Sequence, residues 1–397
     1  MIIGYDIIRE EKGGRSLLKF NSDGSFGMLL FGDIHEKYDY ETAPAFKDFQ
    51  KLMTASIEEY KPDICVFLGD NLSSALCRDD YDAFCKALEG VFKPAFDRGI
   101  PVYAIMGNHE HDAGVDEDLI RAYSSVPLLN MRSESFPGKA DYHEVVYSSD
   151  GKEPKAILWF LDSNNLCSDQ GVDCDSTSYD YVHTDQIEWF EKTYAEENEK
   201  AGSVLPSYVF QHIPVPEEYE LLRKAKFYEL PVSVKGHNTL SGNRYVGKSG
   251  TKGYVGEGPC APDFNNGQFE SWKKTGGVKA AFFGHDHLND FSGFVDGIYL
   301  AQHKTAGFRV YTDGCKSCVR YVRLNEDDPS VFTDELKHFK EFGLKCESLG
   351  PIFKRISDRQ SMMMHFAARA LGVSAAAAAL AYTSYRLISG GKINGKK

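Results

Sequence analysis

Positive charge is what this chain has too little of. Against 58 aspartates and glutamates stand 45 lysines and arginines, a formal net charge of -13 over 397 residues. That balance argues against a general surface for nucleic acid or anionic membrane, so any recognition of phosphate must be local. Cysteine is also sparse. The nine copies (Cys65, Cys77, Cys85, Cys167, Cys174, Cys260, Cys315, Cys318 and Cys346) are odd in number and lack the dense spacing of a disulfide scaffold, so reduced thiols are expected. Cys315 and Cys318, in "CKSC", have no second pair at zinc-ribbon spacing and lie between apparent strands; they read as a solvated turn. Long apolar runs are missing too. The opening "MIIGYDIIREEKGG" carries acids among its first residues, unlike a secretory signal, and a cytoplasmic location is expected. The uncharged, alanine-rich stretch from Ala370 to Tyr385 falls short of the ~20 apolar residues of a spanning helix. Residues 356–397 are therefore expected to form a helical tail that packs or self-associates, with membrane association through the tail the less favoured alternative. No internal repeat is present.

What the chain does have is a series of short apolar runs, each ending in polar residues. "SFGMLLFGD" ends at Asp33, "ICVFLGD" at Asp70, "VYAIMGNHE" at Glu110, "AILWFLDS" at Ser163, "SYVFQH" at His212 and "VKAAFFGHDH" at His287. Such runs predict buried strands. The first is expected to follow a strand at "LLKF" and a turn at Asn21 to Gly24. Between the early runs, "AFKDFQKLMTASIEEY" and "YDAFCKALEGVFKPAFDRG" place apolar residues three and four apart, as helices do. Strand alternating with helix predicts a largely parallel sheet, with ligands beyond the carboxyl ends of its strands. Later, "GIYLAQH", "GFRVYTD" and "CVRYVRL" predict strands without long helices between them, hence an antiparallel portion. An α/β fold with a two-sheet β-sandwich flanked by helices accommodates both patterns. Residues 1–355 are expected to form one catalytic domain, interrupted at about 213–277 by a Gly- and Lys-rich insertion that reads as a lid.

The polar strand ends collect Asp33 and His35 in "GDIH", Asp70 in "GDN", Asn108 and His109 in "GNHE", His212 in "FQH", and His285 and His287 in "GHDH". Singly, each has an ordinary reading as a helix cap, a turn residue or a buried imidazole. His285 and His287 share one direction if the extended conformation continues through them, which would make half of a metal site.

In their order these five motifs resemble the calcineurin-like metallophosphoesterase superfamily, over roughly Met28 to Leu324, and "GNHEH" and "GHDHLNDF" are most similar to its purple-acid-phosphatase-related branch. The resemblance implies a four-layer αββα fold and a dinuclear centre. Asp33, His35 and His287 would hold one ion; Asn108, His212 and His285 would hold the other; Asp70 would bridge them. His109 would stand beside the ions without binding them, stabilising phosphoryl oxygens or protonating the leaving group. Mixed imidazole and carboxylate ligands suit Mn, Zn or Fe, divalent or trivalent. Two carboxylates against two divalent ions leave a net charge of about +2, an anion-attracting spot in an acidic protein. Ions about 3.5 to 4 Å apart would supply hydroxide near neutral pH and clamp phosphoryl oxygens. The implied reaction is hydrolysis of a phosphate monoester on a small molecule or phosphoprotein. Its alternatives are a phosphodiesterase on the same scaffold and a non-catalytic metal-binding protein acting through its tail.

The chain departs from purple acid phosphatases at two positions. Ser73 stands where they have tyrosine, three residues after the bridging aspartate, and His35 stands where they have glycine; no iron-tyrosinate chromophore is expected. Glu110, Asp112, Asp162, Asp286 and Asn289 read equally well as partners that orient the histidines or as loop residues. His111, His143, His183, His237 and His303 read as ordinary surface or core histidines. Lys235, Arg244, Lys248 and Lys252 could meet a second anionic group of a substrate, although a charged loop is commonly a solvated face.

Overall fold

Residues 11–12, 15–73, 77–135, 139–167, 178–350 and 369–383 are described in the computed structural model. The first long strand, β1 (Ser25–Phe31), leaves a turn that Gly24 closes with a φ of 74° and an N–H donated to Asn21. There follow α1 (Pro44–Tyr60), β2 (Ile64–Phe67), α2 (Tyr81–Phe96), β3 (Val102–Ala104), α3 (Asn108–His111), α4 (Asp116–Ser125) and β4 (Leu129–Asn130). After these come β5 (Tyr142–Tyr147), β6 (Pro154–Leu161), α5 (Thr184–Ala201) and β7 (Ser207–Gln211). The insertion contributes β8 (Leu222–Lys224), β9 (Val234–Lys235), β10 (Arg244–Gly247) and α6 (Gln268–Thr275), and the chain continues through β11 (Val278–Phe283), β12 (Ser292–Val295), β13 (Ile298–Gln302), β14 (Cys318–Asn325) and β15 (Phe332–His338).

Two six-stranded mixed sheets result. One runs β15-β14-β1-β2-β3-β4, with β1 to β4 parallel; the other runs β12-β13-β11-β7-β6-β5, with β6, β7, β11 and β13 parallel. Their facing sides share one apolar core. A ladder of stacked rings, Tyr103, Phe160, Phe210 and Phe282, runs through it at centroid spacings of 5.3, 5.2 and 5.7 Å. Helices cover the outer faces because their spacing gives each an apolar stripe. In α1 that stripe is Phe46, Phe49, Leu52, Met53 and Ile57, and Pro44 starts the helix where no N–H is needed. On the other side, Phe190 and Tyr194 of α5 and Phe269 and Trp272 of α6 bury against Trp159 and its neighbours. This is the α/β two-sheet architecture expected.

Some local expectations fail. "LLKF" does not hairpin onto β1: Phe20 N–H donates to Tyr147 and Tyr147 N–H to Leu18, so this segment bridges to the other sheet. "GFRVYTD" is irregular rather than a strand. Arg309 reaches Glu36 at 2.9 Å and Asp39 at 2.6 Å, while Tyr311 stacks on His287, and these side-chain contacts replace a ladder. Extended structure stops at Phe283, and His285 is left-handed with φ 74°, so the two histidines do not continue the strand's alternation. Cys167 is held in a disulfide, whereas Cys65, Cys77, Cys85, Cys260, Cys315, Cys318 and Cys346 are free; a bridge needs only two thiols within reach, which cysteine count does not report. Cys174, the domain boundary near 355 and the tail beyond 383 lie outside the described residues. Within the tail, residues 369–383 form an exposed helix. Among the described residues no helix is long and apolar enough to cross a membrane.

His111 turns out to be a core ion pair. Its Nε2 lies 2.9 Å from Asp162 and its Nδ1 2.9 Å from Asp116. Burial alone would depress this imidazole, but the Asp162 charge and the bond to Asp116 lift it to about 10. A raised folded-state pKa stabilises fully below the ordinary value near 6.5 and loses that contribution as pH climbs through about 10. The stability difference between the wild type and His111→Phe, followed by urea unfolding, is therefore expected to be a few kcal/mol at pH 6 to 7 and to shrink between about pH 7 and 10.

Candidate metal centre

Five chain segments meet at the carboxyl ends of the parallel strands. Asp33 and His35 follow β1, Asp70 follows β2, Asn108 and His109 open α3 after β3, His212 follows β7, and His285 and His287 follow β11. The loops after β1 and β2 zip together: Asp33, His35 and Glu36 donate backbone N–H to Gly69, Asp70 and Asn71. Four of the gathered residues, Asp33, His35, Asp70 and His285, have φ between 52° and 74°. Left-handed backbone at non-glycine residues is uncommon, and its concentration here marks a place where side-chain direction outranks local comfort. Neighbouring glycines are required by space. A Cβ on Gly107 would stand 2.2 Å from an Asp70 carboxylate oxygen, and one on Gly69 would stand 2.7 Å from the His212 ring.

All eight side chains expected at the site are brought together. Ligating atoms of Asp33, His35 and His287 lie within 4.8 Å of one another, and so do those of Asp70, His212 and His285; Asp70 also groups with His35 and His109. Asn108 joins the second set, its Oδ1 being 3.1 Å from His212 Nε2. Asp70 lies between the sets, 3.5 Å from His35 Nε2 and 3.3 Å from His212 Nε2.

The imidazoles are prepared as lone-pair donors. His212 Nδ1 donates to the Leu68 carbonyl at 2.7 Å and His287 Nδ1 to the Tyr311 carbonyl at 2.9 Å, which turns each Nε2 inward. Burial drives His35 down to about 3, His287 to about 4 and His285 well below its usual value, so these rings are neutral. His35 and His287 oppose their Nε2 atoms at 3.1 Å, and His285 Nε2 is buried with no hydrogen-bond partner. Such an orphan costs about 1–3 kcal/mol if left unfilled. Burial likewise raises Asp33, whereas His212 and His35 hold Asp70 well below the carboxylate range against its burial. Burial would lower His212, but Asp70 lifts it to about 9. Converging lone pairs, two carboxylates and an orphaned nitrogen fit a pair of metal ions.

Supporting carboxylates divide into three roles. Glu110 does not orient histidines; its buried carboxylate accepts N–H from Gly107, Asp70, Asn71 and Leu72 at 2.6 to 3.3 Å and the Tyr123 hydroxyl at 3.0 Å. It holds the Asp70 loop. Glu110→Ala would leave these donors buried and unpaired, and is expected to lower unfolding free energy by about 3–5 kcal/mol in urea titration. Asp112 does orient a histidine, lying 3.1 Å from His109 Nδ1. Asp286 and Asn289 act away from the site, binding Cys260 N–H and the N–H groups of Gly256 and Glu257, which straps the insertion to the loop carrying His285 and His287.

Two aromatic residues went unread in the sequence. Tyr311 stacks on His287 with centroids 4.2 Å apart, and Tyr179 stands edge-on to His285 at 4.3 Å. Neither sits in a periodic pattern that marks a site; "GFRVYTD" even mimics a strand.

The sequence pattern described as calcineurin-like phosphoesterase matches residues 28–289. Two Arabidopsis thaliana proteins are similar along most of their length. "Probable inactive purple acid phosphatase 14" is 31% identical over 79% of this chain and 78% of its own, and "probable inactive purple acid phosphatase 29" is 28% identical over 75% and 76%. Among solved structures, a dimetal phosphatase from Danio rerio is 12% identical, covers 79% of this chain and 99% of its own, and superposes with a TM-score of 0.47.

Proposed function

From its membership of the calcineurin-like phosphoesterase family, we propose that this chain is an active metal-dependent phosphomonoesterase. Asp33, His35 and His287 would hold one ion, Asn108, His212 and His285 a second, with Asp70 shared. The observation that carries the reading is the complete donor set with its inward-facing imidazole nitrogens. The two Arabidopsis relatives are named as probable inactive phosphatases, so the reading rests on this chain's own side chains. Bound ions would supply Lewis acidity and a nucleophile that is deprotonated near neutral pH. The protein supplies the rest. His109, its Nδ1 engaged by Asp112, keeps Nε2 for a phosphoryl oxygen or the leaving-group oxygen. Glu110 fixes the loop that presents Asp70, and Tyr179 and Tyr311 wall the site. Phosphorylated small molecules or phosphoproteins are the substrates proposed.

The test is hydrolysis of a chromogenic phosphomonoester by metal-stripped protein with Mn, Zn, Fe or Mg restored singly, and metal content assayed alongside. Activity is expected to return with about two ions per chain. Faster turnover of a diester would move the assignment to a phosphodiesterase. Two bound ions with no hydrolysis of either ester would make the chain a non-catalytic metal-binding protein.

A further inference from the structure

Charge is unevenly spread along this acidic chain. Between residues 222 and 256 there are seven basic residues and one acidic residue, Glu229, a net of +6 in a protein of net -13. This stretch forms a small antiparallel sheet in the order β8-β10-β9. One face, with Leu222, Val234 and Tyr245, buries against the apolar cluster of the second large sheet. Lys235 alternates with Val234 and points away, and Lys224, at the end of its strand, is exposed as well. Arg223 grips Glu229 in a two-pronged contact of 2.8 and 2.6 Å, and Lys226 N–H donates to the same carboxylate at 2.8 Å. The single acid is thereby neutralised, while the ammonium groups of Lys224, Lys226 and Lys235 form no salt bridge among the described residues.

The turn between β8 and β9, Phe227–Val232, exposes large apolar side chains side by side. Phe227 is 88% exposed, Tyr228 71%, Val232 49% and Leu230 39%. Scattered single apolar residues are normal on a surface; a contiguous group ringed by cations marks an interaction site. The turn is stiffened by the Arg223–Glu229 contact, by Pro231 and by the Ser233 hydroxyl on the Leu230 carbonyl at 2.8 Å. It presents these groups ready-made.

We propose that this turn is a membrane-docking tip for an anionic phospholipid surface. Phe227, Tyr228, Leu230 and Val232 enter the boundary between headgroups and acyl chains, and Lys224, Lys226 and Lys235 meet lipid phosphates. Charge complementarity selects a polyanion, and the exposed aliphatic groups select a bilayer among polyanions, because Leu230 and Val232 gain nothing from a sugar-phosphate backbone but are solvated by hydrocarbon. The apolar group and the cations are each weak alone; together they supply the two signals that stable peripheral attachment needs. The inference does not depend on catalysis.

The experiment is co-sedimentation of the full-length protein with vesicles of phosphatidylcholine alone or mixed with phosphatidylserine, at low and high salt. Wild type is expected to bind the mixed vesicles, less so as salt rises, and neutral vesicles weakly. Phe227→Ser with Tyr228→Ser, and separately Lys224→Glu with Lys226→Glu, are expected to lower the partition coefficient at least about ten-fold. Circular dichroism and metal content should be unchanged, since these side chains are exposed and none of them is among the candidate metal ligands. Leu380→Ser, in the exposed tail helix, should leave binding intact. Equal binding by wild type and both tip variants, loss only in the tail variant, or no binding to anionic vesicles would each overturn the proposal.

Discussion

Asp70→Asn is expected to empty both metal positions and remove hydrolysis together. Among the described residues Asp70 is the one carboxylate that reaches both groups of candidate ligands, 3.5 Å from His35 Nε2 and 3.3 Å from His212 Nε2, while its other oxygen accepts the His109 N–H at 2.9 Å. Asparagine keeps the shape and tolerates the left-handed backbone at φ 54°. It removes a full negative charge from between two cations and turns an amide N–H toward one of them. Elemental analysis should fall from about two ions per chain to below one, and turnover by more than the ~10²–10³-fold typical of deleting a single oriented polar group. Retention of both ions with a slower rate would show that the carboxylate is not shared.

His109→Ala should behave in the opposite way. The side chain is 45% exposed, unlike its buried neighbours, and Asp112 fixes one ring nitrogen so that the other is available to a substrate oxygen. Loss of a positioned acid or hydrogen-bond donor costs about 10²–10⁴-fold in turnover. Metal content should stay near two ions and substrate KM should change little. If His109→Ala lost metal as readily as Asp70→Asn, His109 would be a ligand, in keeping with its place in the group formed by His35, Asp70 and His109.

Much of this centre could be read in the chain because strand physics writes it there. A buried strand must be apolar, so the first polar residues after it stand out, and in parallel sheets those residues share one edge of the molecule. That is why Asp33, Asp70, Asn108, His212 and His287 were visible as a set, and why a two-sheet α/β architecture followed from the order of runs and helices. Residues within one segment were less legible. Sequence spacing suggested that His285 and His287 point the same way, but a left-handed residue ends the alternation, and the two rings fall into different groups. Glu110 reads equally well as an orienting partner of histidine or as a loop carboxylate; only the folded loop shows it gathering four backbone N–H groups.

The amino-acid sequence alone determined most of the strands, the covering helices and the inventory of candidate ligands, because apolar periodicity and polar strand ends are local properties. Tertiary structure decided what depends on approach between distant segments. It set which imidazole faces which carboxylate and which ring nitrogen turns inward, turned "GFRVYTD" into a loop that lays Tyr311 on His287, and made His111 a doubly paired core cation. Those choices are fixed by distances of about 3 Å between residues 24 to 104 positions apart, and no local pattern encodes such distances.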